Sequence, residues 1–163
     1  MKTHLLSALV PLAAVSCVSP NPGTFPAADN SNATALFNDV NRYRAGLGKP
    51  PLVRHAGLDA IAQRHSEAMR RSGRLSHDGF QARAATARTK YQLTPLHENV
   101  AWGTRGSSIT RIWAASRRHA PAMRGNWSYT GVGVAVDGNG TIFATQLFGN
   151  TASGGLQRNT GSF

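Results

Sequence analysis

Ala33, Leu36, Phe37, Val40, Arg44 and Leu47 recur three and four residues apart, the spacing of one helical face. Ser31 or Asn32 stands ready to cap that helix, and Gly46, Gly48 and Pro50-Pro51 close it. A second stripe runs through Leu58, Ile61, Ala62, His65, Met69 and Ser72 and stops at Gly73. Arg70, Arg71 and Arg74 fall at its end, where cations suit the negative pole of the helix dipole. The alanine-rich run from Gln81 to Lys90 predicts a short helix. Another starts near Ser107 or Ser108 and presents Ile109, Ile112 and Trp113. Beyond it the period drops to two. Val132, Val134 and Val136 alternate through Tyr129–Val136, and Thr141–Phe148 is β-branched and aromatic. Asp137-Gly138-Asn139-Gly140 between them is a hairpin signal. Glu98 to Gly103 supplies a third strand. Helices followed by a hairpin predict an α+β domain, with helices packed on a small antiparallel sheet.

The ends of the chain read differently. Lys2 and the apolar run Leu5 to Val15 have the make-up of a signal peptide, too short to span ~30 Å of hydrocarbon. Ala14-Val15-Ser16-Cys17 is similar to the bacterial lipobox, with Ala14 where leucine is usual, so Cys17 is the expected site of lipidation. Acyl chains contribute ~0.8 kcal/mol per buried CH₂, and several on one cysteine would hold the protein at a membrane. The alternative is a plain secretory signal releasing soluble protein. The expected divisions are therefore 1–17 leader, 18–32 tether rich in proline, 33–149 folded domain and 150–163 flexible tail.

Composition narrows the classes. One cysteine in 163 residues excludes an intramolecular disulfide framework. There are 18 Lys and Arg against 7 Asp and Glu, a net charge of +11. That excess fits either solvated arginines or an anionic partner such as an envelope polymer or lipid. No Walker loop, HExxH or CxxC occurs. Gly131 and Gly133 lack the strand-to-helix setting of a dinucleotide site, and no basic-aromatic surface for specific nucleic-acid binding is apparent. The expected state is a monomer.

Three segments carry a resemblance. They are Ala62-Gln-Arg-His-Ser-Glu-Ala-Met69 running on to Gly73-Arg-Leu-Ser-His77; His97-Glu-Asn-Val-Ala-Trp-Gly103; and Ile112-Trp-Ala-Ala-Ser-Arg-Arg-His119, followed by Met123 and Tyr129-Thr-Gly-Val-Gly-Val134. With Asn41-Arg-Tyr-Arg44, Pro50-Pro-Leu52 and Thr145-Gln-Leu-Phe148, their order and spacing resemble the CAP superfamily (cysteine-rich secretory proteins, antigen 5, pathogenesis-related 1), in its short bacterial branch. The resemblance covers Leu36 to Phe148. It implies export and an α-β-α sandwich around a three-stranded antiparallel sheet.

It also implies a cleft with two histidines and two glutamates. The matching residues here are His77, Glu98 and His119. No second glutamate matches, and Asp78 is the only acid nearby in sequence. Two imidazoles and a carboxylate could hold Zn²⁺ with a fourth position open. Alternatively the carboxylate orients a histidine for proton transfer, or the set is a hydrogen-bonded tie within the fold. His65 on its apolar stripe reads as a core residue, His97 faces away from Glu98 if the segment is extended, and His55 belongs to a loop. Ser76 and Ser116 invite a hydrolase reading, but a nucleophile needs an oriented base. The function expected is a non-catalytic, exported envelope domain with a His/Glu cleft for a divalent metal or small ligand. A protease-like hydrolase, or a structural or adhesive protein with a vestigial cleft, are the alternatives.

Overall fold

The computed structural model describes residues 30–104 and 108–152. Cys17, the expected leader, most of the tether and the chain beyond Ala152 lie outside the described residues. The elements are α1 (Asn30–Ala45), β1 (Val53–Arg54), α2 (Ala56–Ser72), α3 (Phe80–Tyr91), β2 (Leu93–Gly103), α4 (Ile109–Ala115), α5 (Ala120–Arg124), β3 (Tyr129–Val136) and β4 (Ile142–Thr151). No helix among the described residues is long and apolar enough to cross a membrane.

The sheet order is β1-β3-β4-β2. The three long strands are antiparallel, as the alternating pattern requires. The expected count of three needs correction to four, because β1 pairs in parallel with β3 at Val53↔Tyr129 and Arg54↔Thr130. Two residues carry no period, so the strand left no sequence signal. The same holds for α5, five residues with Pro121 in the second position. Two boundaries also move: α1 starts at Asn30, inside the expected tether, and β4 continues through Asn150 and Thr151. Ser31 and Asn32 therefore lie within α1 and not at its cap.

The helices form two layers. On one face α2 and α3 bury Leu58, Ile61, Ala62 and Ala87 against Leu93 and Leu147. On the other, Leu36, Val40, Ile109, Trp113 and Met123 from α1, α4 and α5 pack on Ala101, Val132, Val134 and Phe148. The result is an α-β-α sandwich. Helix α2 lies so close that a Cβ at Gly131 would overlap the Leu58 backbone, and one at Gly133 would overlap Ala62 and Gln63. Where β1 ends, α2 side chains continue the pairing of β3. Asp59 accepts from Val132 N–H at 2.8 Å, and Gln63 both accepts from Val134 N–H and donates to Val134 O at 2.9 Å. At the opposite margin of the sheet, β2 is an edge strand. Trp113 Nε1 donates to its Val100 carbonyl at 3.2 Å.

Candidate functional site

Glu98 and Asn99 are consecutive on β2, so their side chains leave the strand on opposite faces. Glu98 turns toward α2 and α3, and its side chain is only 2% exposed. A buried carboxylate needs partners. Arg83 of α3 supplies them with a two-pronged contact, Nε to Oε2 at 2.7 Å and Nη2 to Oε1 at 2.8 Å. His77 Nδ1 sits 2.8 Å from Oε1. An ionised carboxylate only accepts, so the His77 proton is on Nδ1 and its Nε2 is left for other partners. The His77 side chain is 54% exposed.

The loop between α2 and α3 that carries His77 is pinned on both flanks. Arg83 also donates to the carbonyls of Asp78 at 2.7 Å and His77 at 3.3 Å. Buried His65 donates Nε2–H to the Ser76 carbonyl at 2.7 Å. Burial holds the His65 pKa below the usual imidazole range, against the opposing pull of that hydrogen bond. His65 is thus a core histidine, as its stripe predicts, with the added task of holding the His77 loop.

Asn99 faces the other way and donates Nδ2–H to the His119 carbonyl at 3.1 Å. His119 precedes α5. Its pKa is also depressed, first by burial and then by the neighbouring basic groups His77, Arg118 and His97. Near pH 7 it is neutral, and its ring has one proton to place. His77 and His119 therefore approach the sheet edge from its two sides and sense each other electrostatically. The sequence-predicted residues share one region of β2, but Glu98 does not stand as a metal ligand. Its oxygens are occupied by Arg83 and His77, and a cation there would sit beside a guanidinium. Among the described residues, no group of three or more His, Cys, Asp or Glu is arranged to hold a metal. The imidazoles fit a metal better than the carboxylate does, since a ligating histidine commonly donates its other N–H to a carboxylate, as His77 does to Glu98.

The remaining candidates separate clearly. Ser76 Oγ accepts from Asp78 N–H and Ser116 Oγ from Arg118 N–H, and neither hydroxyl contacts a histidine. Asp78 borders a groove of about 330 Å³ with Arg64, His65, Arg83 and Thr86. His97 stacks toward Trp127, ring centroids 6.1 Å apart, on the face away from Glu98. His55 lies in the connection between β1 and α2, as expected, and its Nδ1 caps α2 by accepting from Leu58 N–H at 3.3 Å. Sequence reasoning missed Arg83, one arginine of many in an alanine-rich helix. With 18 basic and 7 acidic residues, a buried carboxylate was bound to attract an arginine, but not a particular one. Arg64, Arg71, Arg74, Arg111, Arg117 and Arg118 are exposed, and none pairs with an acid among the described residues.

A family model described as the cysteine-rich secretory protein family, CAP, matches residues 37–148. Comparison with curated proteins gives no match. Among solved structures, an outer surface protein from Borrelia burgdorferi superposes with a TM-score of 0.66 at 17% identity, covering 74% of this chain and 93% of that one. An extracellular protein containing an SCP domain from Bacillus anthracis gives 0.60 at 24% identity, covering 75% of this chain. A cysteine-rich secretory protein from Staphylococcus aureus gives 0.57 at 18% identity, also over 75%. The chain spans 41% and 39% of the length of the last two. At these identities the likeness shows the fold.

Proposed function

The chain belongs to the cysteine-rich secretory protein (CAP) family, and on that premise we propose that it is a non-catalytic, exported binding domain of the bacterial envelope. Its cleft at the edge of β2 takes a divalent metal or small ligand through the imidazoles of His77 and His119. The observation that carries this reading is the clamping of Glu98: a carboxylate that accepts three hydrogen bonds from Arg83 and His77 is held in place as a positioning group. The lack of contact between any serine hydroxyl and a histidine, among the described residues, supports binding over hydrolysis. The unpaired arginines offer anionic envelope polymers or lipids a complementary surface. Acylation of Cys17 anchors the domain at the membrane, and the outer-surface and extracellular proteins that share the fold support an exported location.

A zinc titration tests the cleft. A ligand that binds only the folded state stabilises it by ~2.7 kcal/mol at 100 times its dissociation constant. Excess Zn²⁺ at pH 7.5 should raise the thermal midpoint. His77→Ala and His119→Ala should each remove the rise, while His55→Ala should lower the starting midpoint and keep it. An unchanged midpoint in well-folded wild-type protein would leave the set as a structural tie. For the anchor, Cys17→Ser should move the protein from the membrane to the soluble fraction; unchanged fractionation would overturn acylation.

A further inference from the structure

Two buried side-chain amides share one face of the sheet, and the hydrogen bonds around them fix which atom of each lacks a partner. Asn99 Nδ2 donates to the His119 carbonyl at 3.1 Å, an orientation that cannot be reversed because a carbonyl only accepts. Its Oδ1 therefore points elsewhere. Thr130 spends its hydroxyl proton on the Leu147 carbonyl at 2.8 Å, so at 3.0 Å it must accept from Gln146 Nε2. That leaves Gln146 Oε1. Asn99 and Gln146 are each 0% exposed and are direct cross-strand partners, which places their Cβ atoms about 4.5–5.5 Å apart.

Among the described residues, four buried side-chain polar atoms lack a hydrogen-bond partner: Asn99 Oδ1, Gln146 Oε1, Thr110 Oγ1 and His119 Nδ1. All four belong to the α1–α4–α5 side. His119 is tied to Asn99, and Thr110 is one helical turn before Trp113, whose indole bonds β2. The chemistry of the four is complementary. Two amide oxygens only accept, while a hydroxyl and an imidazole nitrogen can each donate. A water molecule donates twice and accepts twice, and buried waters commonly bridge such groups.

We propose that a single buried water binds between Asn99 Oδ1, Gln146 Oε1, Thr110 Oγ1 and His119 Nδ1, and orients the His119 ring with a proton on Nδ1 and Nε2 turned to the cleft. Asn99 and Gln146 are then positioning residues acting on His119 through the water, as Glu98 acts directly on His77. The two histidines would present the same nitrogen, each as an acceptor. This deepens the reading of the cleft as a site for a metal or a hydrogen-bond donor and rests on it only for its purpose, not for its geometry.

The test is nitrogen NMR of the full chain labelled with ¹⁵N-histidine, at pH 8 without added metal. His119 should show a pyrrole-like Nδ1 and a pyridine-like Nε2, opposite to the Nε2–H form that free histidine favours. Gln146→Leu removes one acceptor and should shift the tautomer ratio toward Nε2–H by up to about tenfold, the worth of one ordinary hydrogen bond. Thr110→Val, a milder change, should keep the tautomer but speed solvent exchange of the Nδ1 proton by roughly the same factor. An Nε2–H tautomer in wild type, or an unmoved ratio in folded Gln146→Leu, overturns the proposal. Should Gln146→Leu fail to fold, unchanged exchange in Thr110→Val overturns it instead. Loss of the zinc response with the Nδ1–H tautomer intact would sink the cleft's function and leave this assignment standing.

Discussion

The two faces of the sheet solve the same packing problem with different completeness. On the α2 side every buried side-chain polar atom among the described residues has a partner. Ser66 Oγ bonds in two directions, toward Gly133 O at 3.0 Å and Thr145 Oγ1 at 2.9 Å, and Asp59 and Gln63 complete the open edge of β3. Gly131 and Gly133 let the helix backbone approach the strand. The α1–α4–α5 side holds the larger apolar cluster, including Trp113, Met123 and Phe148. It also buries the Arg44 guanidinium on three carbonyls, those of Pro50, Met123 and Gly125, and leaves four buried side-chain atoms among the described residues without partners. Burial lowers the Arg44 pKa, though an arginine has so much to spare that it stays charged. One face is a finished interface, while the other keeps unspent hydrogen-bonding capacity beside His119. Unspent capacity next to a candidate cleft is where function is expected to draw on stability.

Gly133→Ala breaks this comparison most severely. The added methyl meets helix backbone, which cannot swing aside, so the loss should reach or exceed about 4 kcal/mol, the far tail of single substitutions. Denaturant unfolding measures it; a loss under about 1 kcal/mol would mean that α2 is free to retreat and the interface is not rigid.

Arg83→Met sharpens the comparison with a smaller change. It keeps most of the apolar stem and removes the guanidinium, leaving the Glu98 charge buried with only His77. Breaking a buried pair this way costs about 3 kcal/mol or somewhat more. The double variant Arg83→Met with Glu98→Gln should recover part of that loss, because the uncompensated charge is gone. Equal stability of single and double variants would show that Arg83 contributes packing and not charge.

Much of this was legible locally. Apolar stripes at helical spacing gave α1, α2 and α4, and Gly73 closes α2 in the left-handed conformation its position predicts. Alternating valines and Asp137-Gly-Asn-Gly140 gave the β3–β4 hairpin. Both signals repeat within a few residues, so the chain states them without reference to its distant parts. The opposite orientation of His97 and Glu98 follows from the strand period alone. The motifs also named His77 and Glu98, which bond each other, and His119, whose backbone carbonyl accepts from Asn99 next to Glu98 on β2. Tertiary structure decided the rest. Whether Glu98 serves as ligand, base or anchor depends on Arg83, 15 residues away on a helix whose sequence gives no hint which face is inward. The partners of Arg44 lie 6 to 81 residues off, and the pairing of Asn99 with Gln146 is set by strand register. A side chain's chemical type is written in the sequence, but its protonation and free lone pairs depend on neighbours that only folding brings within hydrogen-bonding distance.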